Sequence, residues 1–225
     1  MENYEESIEA GGICPQLINI FRNGDESFYP VSFAKRQNIY VGGAGGYIYF
    51  IESGQVKVSM QMQDGRGCNL GIYSRGGVFG ESGLSGRLIP ETATALSSCI
   101  VRRIKISRLF NSLQSKGLYL SFAKCMSNKM LEYQNVIADF VVCNSEKRLA
   151  STLLRLSLML GCCENDRIKI HEKISLQDLS ELIGTTRSRV GYFMNSFMQQ
   201  GILEDCPDCF LVINKKRIEE YLTQN

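Results

Sequence analysis

Glycine is spread unevenly along the 225 residues, and this distribution constrains the fold more than any other feature. Between Ser27 and Ile106, glycines separate short segments rich in β-branched and aromatic residues, which predicts an antiparallel barrel or sandwich. The predicted strands are Tyr47–Ile51, Gln55–Met60, Cys68–Tyr73, Glu91–Leu96 and Cys99–Ile106. From Ser107 to Asn144 only Gly117 remains, so this stretch predicts helix. The chain therefore has an α+β fold.

Apolar residues recur at steps of four and three within the glycine-poor stretch. They are Phe122, Met126, Met130, Tyr133, Ile137 and Phe140. This spacing predicts a long amphipathic helix. A single narrow seam favours a helix that pairs with a second copy of the chain. The alternative is a helix that packs on its own domain.

The segment 175–203 has the pattern of two short helices joined by a tight turn. Ser175 and Asp178 resemble a capping box, Gly184 permits the turn, and Thr185 or Thr186 caps the second helix. The residues predicted to be buried are Leu179, Leu182, Ile183, Val190, Phe193, Met194 and Phe197. Gly201 ends the second helix. These features predict a helix-turn-helix.

The exposed start of the second helix carries the side chains suited to DNA. Residues 145–225 hold 11 Lys/Arg and 11 Asp/Glu, so bulk charge does not indicate nucleic-acid binding. A recognition helix enters the major groove by its N-terminal residues. The predicted DNA-contacting residues are Thr185, Thr186, Arg187, Ser188, Arg189 and Tyr192. Arg187 can bond guanine in bidentate fashion, whereas Thr186 and Arg189 suit phosphates. The alternative is a helical hairpin with a solvated, charged end.

A β-hairpin, or wing, is predicted over Glu204–Asn214 with Pro207 and Asp208 at its tip. The basic run Lys215-Lys216-Arg217 that follows either contacts phosphates or begins a solvated helix. The pattern divides the chain into four regions. These are a helical leader (1–26, with Ile13, Leu17, Ile18 and Phe21 as its apolar stripe), a β-roll (27–106), a dimerisation helix region (107–144) and a winged helix-turn-helix domain (145–225).

This order of parts resembles the Crp/Fnr family of bacterial transcription regulators over residues 25–220. The most specific segments are residues 49–58 (YFIESGQVKV), 77–81 (GVFGE) and 183–190 (IGTTRSRV). The resemblance implies a cyclic-nucleotide-binding-type β-roll (jelly roll), a long dimerisation helix and a C-terminal winged helix-turn-helix.

The resemblance also locates an effector pocket, at Gly80, Glu81, Glu91, Thr92, Tyr133 and Gln134. In cAMP-binding members of the family, an arginine ten residues after the glutamate that binds the ribose pairs with the phosphate. Here that position is Glu91, which repels an anion and lacks the bidentate donor. Arg87 could substitute only through a loop shift. We therefore expect an effector other than cAMP.

Nine cysteines raise the question of a metal or redox site. Fnr-type members hold an iron–sulfur cluster with several N-terminal cysteines, but only Cys14 lies near this N-terminus, so we expect no such cluster. Weak candidates for zinc or a redox switch are Cys162, Cys163, Cys206 and Cys209. These four could equally be incidental turn and packing residues.

The leading hypothesis is a homodimeric regulator that binds a near-palindromic operator in double-stranded DNA and contacts RNA polymerase. The alternatives are a thiol-redox or metal-responsive regulator, and a cyclic-nucleotide-binding module that acts on a protein partner. We expect no catalysis, because the chain has one histidine and neither a P-loop nor a dinucleotide fingerprint. We expect a cytoplasmic location without membrane contact, because the acidic start lacks the pattern of a secretion signal.

Overall fold

The computed structural model describes residues 15–22, 30–43, 45–61, 67–87, 90–164, 166–171 and 173–223. The chain forms two compact units, Met1–Glu132 and Tyr133–Asn225. The division falls inside a long helix, whereas the sequence pattern places a boundary after Asn144. Ile13 and Cys14 lie outside the described residues.

The first unit contains two four-stranded antiparallel sheets. Its strands are β1 (Pro30–Phe33), β2 (Asn38–Val41), β3 (Tyr47–Ser53), β4 (Val56–Gln61), β5 (Gly67–Tyr73), β6 (Val78–Phe79), β7 (Glu91–Ala95) and β8 (Cys99–Lys105). The strand orders are β1-β8-β3-β6 and β2-β7-β4-β5. All five predicted strands are confirmed to within two residues. The sequence pattern missed β1, β2 and β6, which are too short to give a clear alternation.

Aromatic rings join the two sheets. Tyr40 of one sheet lies 5.2 Å, between ring centroids, from Tyr49 of the other, and Tyr73 lies 6.3 Å from Phe79. Phe50 and Phe79 are fully buried. Aromatic pairs at such distances add stability beyond the area they bury. The core of the roll therefore lies between its sheets.

The first unit also contains α1 (Pro15–Arg22), α2 (Ile106–Lys116) and the first part of α3 (Tyr119–Val142). The glycine-poor stretch forms two helices, because Gly117 adopts φ 65° and its N–H bonds the Gln114 carbonyl at the end of α2. Phe122 and Met126 pack against the buried cluster that α1, β3 and α2 share. The first part of the predicted seam therefore belongs to the domain core, which corrects that part of the prediction.

The second unit contains α3 from Tyr133 onward and the elements that follow it. Its elements are α4 (Ser145–Leu160), β9 (Cys162–Glu164), β10 (Arg167–Ile170), α5 (Leu176–Ile183), α6 (Arg187–Gln199), β11 (Leu203–Glu204), β12 (Leu211–Asn214) and α7 (Lys215–Thr223). Asn144 caps α4 by accepting a hydrogen bond from the Lys147 amide. The strands form one antiparallel sheet in the order β11-β12-β10-β9. In the described parts of the chain, no helix is both long enough and apolar enough to span a bilayer.

Candidate nucleic-acid interface and effector pocket

Helix α5 begins at a side-chain cap. The Ser175 hydroxyl accepts a hydrogen bond from the Asp178 amide at 3.0 Å and donates one to the Asp178 carboxylate at 2.5 Å. The predicted cap is therefore confirmed. Such caps satisfy amide groups that have no partner within the helix.

Gly184 makes the turn between α5 and α6. It adopts φ 64°, and the next amide, of Thr185, donates to the Ser180 carbonyl at 3.0 Å. A Cβ at Gly184 would lie 2.8 Å from the ring of Phe140. Thr186, rather than Thr185, caps α6, because its hydroxyl accepts a hydrogen bond from the Arg189 amide at 3.3 Å. The left-handed backbone conformation of the turn therefore favours glycine at this position.

Gly184→Ala should lower the free energy of unfolding by about 1–2 kcal/mol, because an L-residue is disfavoured in the left-handed region. The matched control is Gly191→Ala, inside α6, where the added Cβ meets only Leu176 at an ordinary 3.7 Å. Removing a helix-interior glycine should stabilise by up to about 1 kcal/mol. Urea unfolding measures both changes. Equal effects of the two substitutions would contradict the role given to Gly184.

The start of α6 projects into solvent. Arg187, Ser188 and Arg189 are exposed, and Tyr192, one turn later, is 72% exposed. On the opposite face, the side chains predicted to be buried are buried; they are Val190, Phe193, Met194 and Phe197. The Arg189 guanidinium lies 5.7 Å from the ring centroid of Phe193. The tip therefore offers two guanidinium groups and hydroxyl groups to a ligand outside the molecule.

Arg148 of α4, which was not predicted as a functional residue, bonds the end of α5. Its Nε donates to the Ile183 carbonyl at 3.0 Å and its Nη1 to the Cys143 carbonyl at 2.8 Å. The guanidinium also lies 4.7 Å from the ring centroid of Phe140. It thus satisfies a carbonyl at the end of α5. In the sequence, an arginine inside a helix cannot be distinguished from an ordinary solvent-exposed side chain, so the helical pattern did not indicate this role.

The wing consists of β11, β12 and the turn at Pro207 and Asp208, as predicted. In the basic run that follows, Arg217 has a structural partner, because its Nη1 donates to the Gln200 carbonyl at 2.9 Å. Gly201 next to it adopts φ 65°, which confirms its predicted place after α6. Lys216 is exposed and Lys215 is half-buried. Phosphate contacts by these two lysines stay a prediction.

In the first unit, Glu81 of the predicted pocket forms an ion pair. Gly80 adopts φ 88°, and Glu81 opens a short 3-10 helix, Glu81–Ser85. The Lys129 Nζ of α3 lies 2.5 Å from the Glu81 carboxylate and donates to the Val78 carbonyl at 2.9 Å. Lys129 is only 9% exposed. The glutamate that the family resemblance assigns to a ribose is thus engaged by a lysine of this chain.

Glu91 is 5% exposed and binds two hydroxyl groups. Tyr40 and Ser82 each donate a hydrogen bond to its Oε1 at 2.6 Å. Burial, followed by the bond to Glu91, raises the pKa of Tyr40 far above its usual value, so the phenol remains a donor. Thr92 is half-buried beside it. No sequence motif links Tyr40 or Ser82 to Glu91, or Lys129 to Glu81, so these three partners were not predicted.

The remaining predicted site residues lie in the second unit. Tyr133 and Gln134 lie in the second unit with exposed side chains. Among the described residues, no three His, Cys, Asp or Glu side chains lie close enough together to hold a metal ion. Cys162 and Cys163 lie on β9, and Cys206 and Cys209 flank the wing turn.

Comparison with known proteins identifies both units. Residues 30–116 match the family model of the cyclic nucleotide-binding domain, and residues 147–221 match that of the Crp-like helix-turn-helix domain. A "CRP-like cAMP-activated global transcriptional regulator" of Mycobacterium tuberculosis is 24% identical over 76% of this chain and 78% of its own. The "Anaerobic regulatory protein" of Bacillus subtilis is 24% identical over 75% and 72%.

Solved structures show the same fold. A CooA mutant from Carboxydothermus hydrogenoformans has a TM-score of 0.75 at 18% identity, covering 96% of this chain and 99% of its own. FixK2 from Bradyrhizobium japonicum has a TM-score of 0.74 at 20% identity, covering 88% and 98%. With a cyclic nucleotide-binding domain followed by a Crp-like helix-turn-helix, this chain belongs to the Crp/Fnr family of transcription regulators.

Proposed function

We propose that this regulator binds double-stranded DNA sequence-specifically as a homodimer and responds to an effector other than cAMP. The observation that carries the proposal is the exposed, capped start of α6, where Arg187 and Arg189 face solvent. The first turn of a helix also presents free amide groups that suit a phosphate. Arg187 reads a base edge, while Thr186 and Arg189 position the helix on the backbone.

The second half of α3 supplies the dimer contact. Met130, Ile137 and Val141 are 61%, 62% and 80% exposed, at helical spacings of seven and four residues. Large apolar side chains in such a row on a helix are typical of a coiled-coil seam. In such a dimer, each copy of α6 binds one half-site of a near-palindromic operator. The regulator acts in the cytoplasm by contact with RNA polymerase and does not catalyse a reaction.

The charges of the roll argue against a cyclic phosphodiester. Glu91 occupies the position that the family resemblance assigns to the phosphate-binding arginine, and its carboxylate is buried on two hydroxyl groups. Two unit charges ~4 Å apart in an effective dielectric of ~20 interact by about 4 kcal/mol, and here the sign is repulsive. Glu81 is held by Lys129. An effector that binds in this pocket therefore carries no negative charge next to Glu91.

Addition of cAMP should leave the melting temperature unchanged. A ligand that binds the native state stabilises it by RT ln(1 + [L]/Kd), so a specific site would reveal itself as a concentration-dependent rise. Differential scanning calorimetry over a cAMP series, with AMP as the control nucleotide, makes this measurement. A saturable rise with cAMP that AMP does not reproduce would overturn the exclusion.

Selection from a pool of random duplexes tests DNA recognition directly. The full-length protein should enrich two inverted half-sites whose centres lie about one helical turn (~10–10.5 base pairs) or a multiple of it apart. Affinity for the enriched duplex should fall steeply with salt, as phosphate contacts require. Enrichment of no sequence over the starting pool would refute the proposed function.

A further inference from the structure

The wing tip carries two cysteines at the spacing C-x-x-C. Cys206-Pro207-Asp208-Cys209 connects β11 to β12, with Pro207 and Asp208 in the turn. Proline favours the second position of a β-turn, whose first and last Cα atoms lie less than about 7 Å apart. A disulfide joins Cα atoms roughly 4.4–6.8 Å apart. The ends of such a turn therefore lie close to the spacing that a disulfide needs.

The pKa values of the two thiols shift in opposite directions. Hydrogen bonding from the Cys209 side chain is the main cause that lowers the pKa of Cys206. Burial is the main cause that raises the pKa of Cys209. Both residues are partly exposed, so a small reagent can approach them. The pair is therefore asymmetric, with Cys206 as the readier thiolate and Cys209 as its hydrogen-bond donor.

We propose that Cys206 and Cys209 form a thiol–disulfide exchange site whose substrate is a small-molecule disulfide. The Cys206 thiolate attacks one sulfur of the substrate, forms a mixed disulfide and expels the first thiolate. Cys209, deprotonated in turn, attacks the Cys206 sulfur, closes the Cys206–Cys209 bond and expels the second thiolate. The two protons that the cysteines lose are taken up by the two leaving thiolates. The protein dithiol is oxidised, and the substrate disulfide is reduced to two thiols.

The other cysteine pair of the same unit lies on a strand and serves as an internal control. Cys162 and Cys163 are adjacent on β9 and both are exposed. Successive side chains of a strand point to opposite faces, so these two thiols diverge. They are opposite Lys169 and Ile168 of β10, respectively. Both pairs are thus accessible, whereas only Cys206 and Cys209 lie at the two ends of a turn.

The exchange site goes beyond the proposed DNA binding and does not depend on it. The test uses the full-length, fully reduced protein in glutathione buffers with an increasing oxidised fraction. Free thiols are then trapped by alkylation, and peptides are identified by mass spectrometry. We expect a Cys206–Cys209 disulfide to accumulate while Cys162 and Cys163 remain alkylated. If Cys206 and Cys209 are alkylated in every buffer, or become oxidised only together with Cys162 and Cys163, the proposal is wrong.

Single substitutions separate the two roles. Cys209→Ser should trap the mixed disulfide of glutathione on Cys206, and Cys206→Ser should abolish both products. A mixed disulfide on Cys209 in the Cys206→Ser protein would overturn the assignment. The rate of alkylation in the unsubstituted protein provides a second measurement that needs no variant. Cys206 should react faster than Cys162 at neutral pH, and a slower reaction would contradict its role as the attacking thiol.

Discussion

Ile137→Glu should convert the proposed dimer to monomers and lower the affinity for an inverted-repeat duplex about 10²–10⁴-fold, the gain that joining two binding modules provides. Ile137 is 62% exposed in the single chain, between Met130 and Val141 on the same helix. In a dimer, symmetry places two new carboxylates in one apolar seam, where their desolvation is costly. Sedimentation equilibrium gives the mass, and titration of a labelled duplex gives the affinity.

Asn135→Glu is the matched control for this substitution. Asn135 is an exposed residue of the same helix, outside the row of large apolar side chains. The Asn135→Glu substitution adds the same charge to α3, so a general effect of charge on DNA affinity would appear in both variants. If Ile137→Glu remains a dimer, or if the two variants lose affinity equally, the proposed seam is wrong.

Arg187→Ala should weaken binding to the selected duplex by about 1–3 kcal/mol and relax the preference at one base pair in each half-site. Arg187 is the first residue of α6, and its side chain is exposed. Bidentate bonds from an arginine to guanine discriminate among base pairs, so their loss reduces specificity as well as affinity. Fluorescence anisotropy with the selected duplex and its single-base variants measures both quantities.

Two further substitutions make this result interpretable. Arg187→Lys keeps the charge but not the planar pair of donors, so it should lose most of the base preference and less of the affinity. Gln199→Ala, an exposed position at the other end of α6, should change neither. A loss of affinity without any change in base preference would make Arg187 a phosphate contact instead.

The helix-turn-helix could be predicted because its determinants are local. Ser175 bonds an amide three residues away, and Gly184 fulfils a backbone requirement of its own position. Each such signal is contained in a few consecutive residues. The same holds for the wing, where Pro207 and Asp208 mark the turn. Only the structure distinguishes Thr186 from Thr185 as the cap, since both are threonines and either can cap a helix.

The pocket contacts could not be predicted, because they join residues that are distant along the chain. Tyr40 bonds Glu91 across 51 residues, and Lys129 bonds Glu81 across 48. Their alignment depends on the packing of the two sheets and of α3, which no local pattern encodes. The expected repulsion between Glu91 and an anionic effector, by contrast, followed from this one residue and the family resemblance. The buried, hydroxyl-bonded environment of Glu91 adds support to that expectation.

Helix α3 shows how periodicity alone is ambiguous. The spacing of Phe122 and Met126 continues the row of Met130 and Ile137, yet the first two pack against the core and the last two are exposed. A stripe at helical spacing indicates that a face is buried but not which surface covers it. Only the positions of α1, β3 and α2 separate the two parts of the stripe.

Methylation protection of guanine N7 on the selected duplex tests the central claim most directly. The claim is that the tip of α6 enters the major groove, where N7 is exposed to the reagent. The account predicts one protected guanine in each half-site with the unsubstituted protein, and loss of that protection with Arg187→Ala at saturating concentration. An identical pattern for both proteins would contradict it.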